Sequence, residues 1–333
     1  MLHRPSISAK VLGLGTYLPE RVLTNAELEA RPELDTSDEW IVRRTGIRER
    51  RLAADDQATS DLATPAAEAC LADAKVAADE VDLIIVATVT PDMLFPVTAC
   101  LVQRNLRATR AAGYDLLLGC TGFVSALATG AQFITSGSLR HVLVIGADTL
   151  SRITDWTDRS TCVLFGDGAG AVLLGAGEPG EGLLSFVMSN NGEAADLLSQ
   201  PAGGSRQRVT PEAAAAHQDC VRMEGKELFR LAVEGIPRAA EHAMQAAGLG
   251  PDDIDVMVMH QANIRIIEAA AARFGFPPEK VVVTIDKHGN TSAASMPLAL
   301  GELRAQGRLS AGDTVLLVGF GAGFALAAAV VRW

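Results

Sequence analysis

A strand that runs directly into a helix is predicted by Tyr114-Asp-Leu-Leu-Leu-Gly-Cys-Thr-Gly-Phe-Val-Ser-Ala-Leu127. The apolar run from Leu116 to Leu118 is typical of a buried strand, and the glycines on either side of Cys120 and Thr121 allow a tight turn. The apolar residues that follow lie near helical spacing, namely Phe123, Leu127, Phe133 and Ile134. Cys120 is therefore expected at the N-terminus of a helix.

The same strand patterns occur twice in the chain, in the same order. Residues 81–88 and 141–148 of the first half correspond to residues 254–261 and 314–321 of the second half. Between the members of each pair a strand enters a helix, around Cys120 in the first half and in Val283-Thr-Ile-Asp-Lys-His-Gly-Asn-Thr-Ser-Ala-Ala-Ser295 in the second. The repetition indicates an internal duplication in which Cys120 and Asn290 occupy matching places.

Apolar strands alternate with alanine-rich helices, which predicts an α/β fold whose central strands are buried on both faces. One helix is expected from about Ser60 to Ala77 and another near Thr98 to Leu106. The Gly- and Pro-rich stretch from Gly175 to Gly182 predicts a boundary between an N-terminal half, residues 1–178, and a C-terminal half, residues 179–333. If the halves are related by a pseudo-twofold axis, the C-terminal ends of both sets of strands meet at one cleft.

Composition limits the classes of partner and compartment. The chain has 333 residues, of which 48% are hydrophobic, and its net charge of −11 disfavours nucleic acid and anionic membranes as main partners. Its five cysteines are irregularly spaced, so neither disulfides nor a zinc site is expected and a reducing, cytoplasmic location fits best. The N-terminal residues do not resemble a signal peptide. The longest apolar run, from Val315 to Val331, is too short for a membrane span and predicts two buried strands around a turn.

Cys120 is the candidate nucleophile. At a helix N-terminus, unpaired amides and the helix dipole favour the thiolate, which is the form that attacks a thioester. The backbone amide at the same position can stabilise the oxyanion that results. A small buried cysteine with a packing role is the alternative, and that role suffices for Cys70 and Cys162.

Two neutral hydrogen-bond donors follow strands of the second half. His260 comes after the predicted strand 255–259, and Asn290 follows another strand-like run. Both can stabilise a negative oxygen. Taken singly, a satisfied core histidine and a turn asparagine are strong alternatives, so the hypothesis depends on their joint placement with Cys120. The glycines around Ala322 can bring its backbone amide toward Cys120 as a second oxyanion donor.

Five segments together resemble β-ketoacyl-acyl carrier protein synthase III, a family of the thiolase superfamily, over nearly the whole chain. They are residues 34–50, 119–123, 165–170, 260–267 and 288–295. The resemblance implies a thiolase-like, five-layered αβαβα subunit built by internal duplication, a homodimer, and a catalytic set of Cys120, His260 and Asn290.

The resemblance also implies a ping-pong reaction. Cys120 would take an acyl group, with acetyl expected, from an acyl-coenzyme A. Malonyl-acyl carrier protein would then lose carbon dioxide and condense with the acyl group, while His260 and Asn290 hydrogen-bond the thioester oxygen. The coenzyme A thioester is a substrate, and neither a metal ion nor a separate cofactor is expected.

The same resemblance assigns a coenzyme A site to Thr36, Trp40, Arg44, Arg159, Phe229 and Asn263. Trp40 and Arg159 would hold the adenine between an indole ring and a guanidinium, with Thr36 and Arg44 assisting. Asn263 would contact the pantetheine arm, and Phe229 would line its tunnel. A core tryptophan and surface ion pairs are the alternatives for the aromatic and basic members of this set.

Arg230, Arg265 and Arg273 are expected to form a basic patch for the acidic acyl carrier protein, with ordinary solvated arginines as the alternative. Phe95 resembles a residue that reaches across the dimer to close the acyl pocket, with core packing as its alternative. Lys226 departs from the family pattern, since relatives often carry a small polar residue there.

Three other functions compete with this interpretation. A papain-like protease has the same order of Cys, His and Asn, but its local cysteine signature is absent. A non-catalytic protein that binds coenzyme A or an acyl carrier would not need a reactive thiol. A relative that passes the acyl group to oxygen or nitrogen in secondary metabolism is closer, and the presence of both His260 and Asn290 favours condensation over it.

Overall fold

Residues 7–333 are described in a computed structural model, in which strands and helices alternate. The strands are β1 (Ser8–Tyr17), β2 (Arg21–Thr24), β3 (Glu49–Leu52), β4 (Leu83–Ala87), β5 (Ala112–Leu116), β6 (Val142–Thr149), β7 (Asp167–Gly177), β8 (Gly182–Ser189), β9 (Leu198–Ser199), β10 (Arg222–Met223), β11 (Val256–Met259), β12 (Thr314–Gly321) and β13 (Ala325–Arg332). The α-helices are α1 (Asn25–Glu29), α2 (Asp38–Thr45), α3 (Thr59–Ala74), α4 (Thr98–Leu106), α5 (Gly122–Thr135), α6 (Arg159–Cys162), α7 (Pro211–Ala215), α8 (Gly225–Ala247), α9 (Ile264–Phe274), α10 (Ile285–His288) and α11 (Ser295–Ala305).

Two main sheets have the same strand order. The first contains β1, β7, β6, β4 and β5 in that spatial order, and the second contains β8, β13, β12 and β11. Corresponding neighbours also run in the same relative direction, since β4 and β6 are parallel like β11 and β12, and β6 and β7 are antiparallel like β12 and β13. This agreement confirms the predicted internal duplication.

Helices form three layers around the two sheets. Helices α3 and α4 cover the outer face of the first sheet, and α8 and α9 cover the outer face of the second. Helices α5 and α11 lie between the sheets and contact both, in a continuous apolar core. The result is the predicted thiolase-like αβαβα arrangement.

The predicted strand before Asn290 is wrong. Among the described residues, the second sheet has no strand beside β11 that corresponds to β5. Only an isolated bridge, between Met257 and Val281, is found there. The side-chain oxygen of Gln261 then accepts hydrogen bonds from the amides of Thr284 and Ile285, at 2.9 and 3.1 Å. These amides are thereby withdrawn from a strand ladder, and the chain forms the short helix α10 instead.

The strand before Cys120, predicted to include residues 116–118, ends earlier than expected. Strand β5 ends at Leu116, and Leu117 is 62% exposed. The Leu118 carbonyl accepts hydrogen bonds from the amide and the hydroxyl of Thr121, at 3.2 and 2.8 Å, so the chain closes into a turn here. Helix α3 is also shorter than predicted, because Lys75 takes the left-handed conformation and ends it, whereas α4 has the predicted bounds.

The run from Val315 to Val331 forms β12 and β13, a pair of adjacent antiparallel strands, as predicted. Within residues 7–333, no helix combines the length and the hydrophobicity that crossing a bilayer requires.

Gly146 of β6 allows the middle layer to approach the first sheet. A Cβ atom at this position would lie 2.2 Å from the Ala293 carbonyl oxygen and 2.8 Å from its carbon. Ala293 belongs to the short turn Ser292–Ala294 that leads into α11. The backbone of this turn lies directly on β6, so only glycine fits at position 146.

We expect Gly146→Ala to lower the free energy of unfolding by about 1–3 kcal/mol, because the added methyl group must push the turn away from the sheet. Gly204→Ala is the matched control, since a Cβ atom there meets nothing within 4 Å and should change stability by less than about 0.5 kcal/mol. Urea unfolding followed by circular dichroism measures both. Equal stability of the two variants would contradict this account of the contact.

Candidate active site

Cys120 lies in the turn Gly119–Thr121, immediately before α5, and only 7% of the residue is exposed. Gly119 takes a positive φ of 52°, which allows the sharp change of direction after β5. The last residue of β12, Gly321, lies against the nucleophile. A Cβ atom at Gly321 would be 3.0 Å from the Cys120 amide nitrogen and 3.1 Å from its Cβ atom. The end of β12 therefore fixes the position of Cys120.

His260 follows β11 directly and is 1% exposed. Its backbone amide donates to the Val318 carbonyl at 2.8 Å, which continues the pairing with β12 beyond the end of β11. The imidazole stands edge-on to the Phe320 ring, with 5.5 Å between ring centroids. His260 therefore occupies the same end of β12 as Cys120.

Asn290 is anchored by its backbone to the segment before β7. Its amide donates to the Leu164 carbonyl at 2.8 Å, and its carbonyl accepts from the Gly166 amide at 3.0 Å. Its side-chain oxygen accepts from the Ser292 amide at 2.9 Å, and the Ser292 hydroxyl lies 3.6 Å from the Cys120 sulfur. The side-chain nitrogen of Asn290 donates to no other residue within 7–333, so it is available to a substrate oxygen.

The environment of Cys120 differs from the one predicted. The pKa of the thiol is raised to about 12, mainly by burial and to a smaller extent by the charge of Asp148. Hydrogen bonding to Ser292 and to the cysteine's own amide lowers the pKa, but not enough to offset burial. Burial therefore opposes the thiolate that the helix N-terminus is expected to favour.

His260 is neutral at physiological pH, because burial lowers its pKa to about 3. Its Nδ1 atom lies 3.2 Å from the Ser295 hydroxyl, which in turn is 3.3 Å from the Thr291 hydroxyl. When Ser295 donates to Nδ1, the ring proton is on Nε2. The imidazole then serves as a neutral donor, in agreement with the predicted type of group.

The backbone of Ala322 lies close to the turn that carries Cys120. Ala322 follows Gly321 in the turn Ala322–Phe324, and its amide nitrogen is 3.8 Å from the Cβ position of Gly119. Alanine at 322 leaves this amide in place.

Two sequence-family models match the chain. The model of 3-oxoacyl-[acyl-carrier-protein (ACP)] synthase III matches residues 114–192, and the model of the C-terminal region of this synthase matches residues 244–333. A β-ketoacyl-[acyl-carrier-protein] synthase III from Caldanaerobacter subterraneus subsp. tengcongensis is 50% identical over 327 residues, with 98% of each chain covered. The chain belongs to the β-ketoacyl-acyl carrier protein synthase III family.

Solved structures agree with this membership. The family member from Thermus thermophilus superimposes with a TM-score of 0.90 at 48% identity, covering 97% of this chain and 99% of that one. The priming β-ketosynthase of the R1128 polyketide pathway superimposes with a TM-score of 0.92 at 34% identity, covering 99% and 98%. The chain is thus a condensing acyltransferase of the synthase III family, and the fold excludes the papain-like protease hypothesis.

The residues predicted for the adenine end of coenzyme A lie together. The Arg159 guanidinium carbon is 4.8 Å from the centroid of the Trp40 ring, and that of Arg44 is 5.6 Å away. Arg159 also donates to the Asp35 carbonyl oxygen. Arg159 now rests on the indole, so a purine can enter between them only if the guanidinium moves away.

Thr36 belongs to the same region, and its buried hydroxyl oxygen has no hydrogen-bond partner within the described part of the chain. Asn263 is the N-cap of α9, where its side-chain oxygen accepts from the Arg265 amide and its side-chain nitrogen donates to the Arg44 carbonyl, both at 3.0 Å. Phe229 lies on α8, with the Arg265 guanidinium carbon 5.2 Å from its ring centroid.

The three arginines predicted to bind an acyl carrier protein are not equivalent. Arg230 forms ion pairs with Glu227 and Glu234 on α8, and Arg273 lies 3.6 Å from the Glu241 carboxylate. Arg265 forms no ion pair within residues 7–333. It therefore presents the least compensated positive charge of the three.

Phe95 is 84% exposed, beside Leu94 at 74% and Met93 at 46%, so the alternative of a core phenylalanine is wrong. Lys226 lies exposed in the first turn of α8.

Sequence analysis missed three polar residues of the site, Asp148, Ser292 and Ser295. Ser292 and Ser295 lie within a segment that carried the family resemblance, and Asp148 is near the end of a strand that the duplication had already marked. Their position in the repeat was the available signal. Sequence alone could not show which of their side chains face the sulfur.

Stability should fall in acid partly because His260 is buried as a neutral group. Its pKa of about 3 lies below the unfolded value near 6.5, so the unfolded chain binds more protons between these pH values. At pH 5 this costs about 2 kcal/mol relative to neutral pH.

We expect His260→Gln to reduce the loss of stability between pH 7.5 and pH 5 by about that amount. Urea unfolding at both pH values measures the difference, and the exposed His242, replaced by Gln, is the control. An unchanged acid loss in the His260 variant would show that its protonation is not coupled to unfolding.

Proposed function

We propose that this chain catalyses the initiating condensation of type II fatty-acid synthesis. An acyl group, acetyl in the simplest case, passes from acyl-coenzyme A to Cys120 and is then condensed with malonyl-acyl carrier protein. The products are β-ketoacyl-acyl carrier protein, carbon dioxide and free coenzyme A. The observation that carries the proposal is that Cys120 and His260 both lie at the end of β12, while Ser292 joins the Asn290 side chain to the Cys120 sulfur.

In the first half-reaction, the Cys120 thiolate attacks the thioester carbonyl and coenzyme A leaves. The negative oxygen of the tetrahedral intermediate needs donors at the nucleophile. The amides of Cys120 and Ala322 belong to adjacent turns, and we assign the oxyanion hole to them.

In the second half-reaction, malonyl-acyl carrier protein loses carbon dioxide, and negative charge develops on its thioester oxygen. Two neutral donors stabilise an enolate without first being paired to a counter-ion. Nε2–H of His260 and the free side-chain nitrogen of Asn290 supply them. The carbanion then attacks the acyl-Cys120 carbonyl, and the Cys120 thiolate is released and takes up a proton from solvent to restore the thiol. The scheme uses no metal ion or separate cofactor.

Coenzyme A binding is assigned to the region around Trp40. A guanidinium and an indole together suit the face of an adenine ring, and the unpartnered Thr36 hydroxyl can hydrogen-bond the ligand. Arg44 borders the same ring, Asn263 holds the Arg44 backbone near the pantetheine path, and Phe229 lines that path.

Two protein partners follow from the same function. Arg265, with Arg230 and Arg273 beside it, is assigned to docking of the acidic acyl carrier protein. The exposed Phe95 is assigned to the acyl pocket of a second subunit in a homodimer. We place the boundary between the two duplicated halves at residues 178 and 179, between β7 and β8. The five free cysteines favour a cytoplasmic location.

We expect His260→Ala and Asn290→Ala to acquire an acetyl group on Cys120 at close to the wild-type rate. Their decarboxylative condensation should fall by about 10²–10³, the usual effect of removing one such donor. Intact-protein mass spectrometry follows acylation, and release of carbon dioxide from malonyl-acyl carrier protein follows condensation. The control, Cys120→Ala, should not be acylated. Equal loss of both half-reactions in the histidine and asparagine variants would contradict the division of roles.

We expect Trp40→Ala to raise KM for acetyl-coenzyme A about tenfold, because one cation–π or stacking contact is worth about 1–2 kcal/mol. S-acetyl-pantetheine lacks the adenine, so its kinetics should not change. Trp156 carries a similar stack with Arg31 at 5.5 Å and has no assigned contact with coenzyme A, so Trp156→Ala is the matched control. If Trp40→Ala raises KM equally for acetyl-coenzyme A and S-acetyl-pantetheine, the indole does not contact the adenine.

The resemblance to a priming β-ketosynthase of polyketide synthesis supports a second candidate function, priming in secondary metabolism. Incubation of the wild-type protein with a mixture of acyl-coenzyme A primers, followed by mass spectrometry of Cys120, separates the two by the chain that is loaded.

A further inference from the structure

A fully buried carboxylate lies behind the nucleophile. Asp148, the second-last residue of β6, is 0% exposed. No lysine, arginine or histidine of residues 7–333 forms an ion pair with it. An ionised carboxylate without a counter-ion is costly to bury and is found where other groups use its charge or its proton affinity.

The two carboxylate oxygens of Asp148 are used unequally. Oδ1 accepts hydrogen bonds from the Thr88 and Thr90 hydroxyls at 2.9 and 2.8 Å and from the amides of Val89 and Thr90 at 2.8 and 3.2 Å. Oδ2 accepts a long bond of 3.3 Å from the Ala293 amide. Oδ2 therefore retains acceptor capacity on the side of the turn that precedes α11.

Ser292 stands between this carboxylate and the sulfur. Its hydroxyl is 3.6 Å from Cys120 Sγ, which donates to it. Burial raises the pKa of the Asp148 carboxyl, and a hydrogen bond with the Ser292 side chain lowers it. Ser292 takes a positive φ of 48°, so an uncommon backbone conformation holds the hydroxyl in this place.

We propose that Ser292 and Asp148 form a proton relay for Cys120 in the acyl-transfer half-reaction. This inference rests on the proposed function. The Cys120 thiol gives its proton to the Ser292 oxygen, and Ser292 gives its own hydroxyl proton to Oδ2 of Asp148. The thiolate attacks the thioester carbonyl, the C–S bond to coenzyme A breaks, and the departing thiolate receives the proton back through Ser292. The enzyme is left as acyl-Cys120 with Asp148 ionised again.

The number of buried charges favours this route over loss of the proton to water. Direct deprotonation would leave a thiolate and a carboxylate, two negative charges, buried side by side. Transfer to Asp148 keeps one negative charge in the enclosure before and after the step, so no additional charge is desolvated. The carboxylate thus changes from an obstacle to thiolate formation into the acceptor of the proton.

The other groups nearby do not offer the same route. The loop 88–90 and the turn Ser292–Ala294, which contact Asp148, contribute hydroxyls and amides but no charged side chain. His260 is held by Ser295 on one nitrogen, and burial lowers its pKa to about 3, so it is a weak base. Asp148 acts through Ser292 and is a positioning residue in this scheme, whereas Ser292 touches the reacting sulfur.

The test compares Ser292→Ala and Asp148→Asn with Thr88→Val, which removes a hydroxyl from the other oxygen of the same carboxylate. Single-turnover acylation of Cys120 by acetyl-coenzyme A is followed from pH 5 to pH 9 by mass spectrometry. We expect both relay variants to acylate about 10²-fold more slowly at neutral pH, which is the usual contribution of acid–base catalysis. Condensation started from preformed acyl-enzyme should stay within about twofold of wild type, and so should acylation of Thr88→Val.

The pH profile separates a relay from a structural role. Wild-type acylation should decline in acid as Asp148 becomes protonated, and Asp148→Asn should lose this decline, since its amide does not titrate. The double variant should be no slower than the slower single variant. Ser292→Ala acylating within about twofold of wild type, or Asp148→Asn retaining the acid decline, would overturn the relay. If Asp148→Asn does not fold, the serine variant decides alone. Failure of the wild-type protein to form acyl-Cys120 would instead overturn the proposed function.

Discussion

Contact between Cys120 and the end of β12 is the constraint on which the rest of the site depends. Cβ atoms at Gly319 and Gly321 would lie 3.2 Å from the Cys120 carbonyl oxygen and 3.0 Å from its amide nitrogen. The nucleophile belongs to the first half of the chain and this strand to the second. The catalytic turn is therefore fixed by packing between the two halves of the chain.

Burial is the largest influence on the pKa values of Cys120, Asp148 and His260. The same enclosure that raises the pKa of the Cys120 thiol keeps His260 uncharged and leaves Asp148 without a counter-ion in the described chain. Neutral donors suit an oxygen that becomes negative only during reaction, because they attract it without forming an ion pair at rest. For the buried thiol, the proposed acceptor of the proton is Asp148.

The repeated strand patterns were sufficient to predict the duplication, whereas the order of the layers followed from the family resemblance. They did not predict where a side chain takes the place of backbone pairing. The side-chain oxygen of Gln261 accepts hydrogen bonds from the backbone amides of Thr284 and Ile285, so the strand that the apolar pattern favours before Asn290 does not form. Nor could they reveal that Arg230 and Arg273 are paired with neighbouring carboxylates. Such contacts depend on tertiary distances, which one sequence does not encode in any local pattern.

The glycines of β12 also restrict how this enzyme can diversify. A Cβ atom at 319 or 321 would press on Cys120 at 3.2 or 3.0 Å, so a side chain there would have to shift the nucleophile or its neighbours. Met93, Leu94 and Phe95 stand in the open in the single chain, so only the proposed partner subunit would restrict them. Substitutions in that outer segment can alter the acyl pocket without moving the nucleophile.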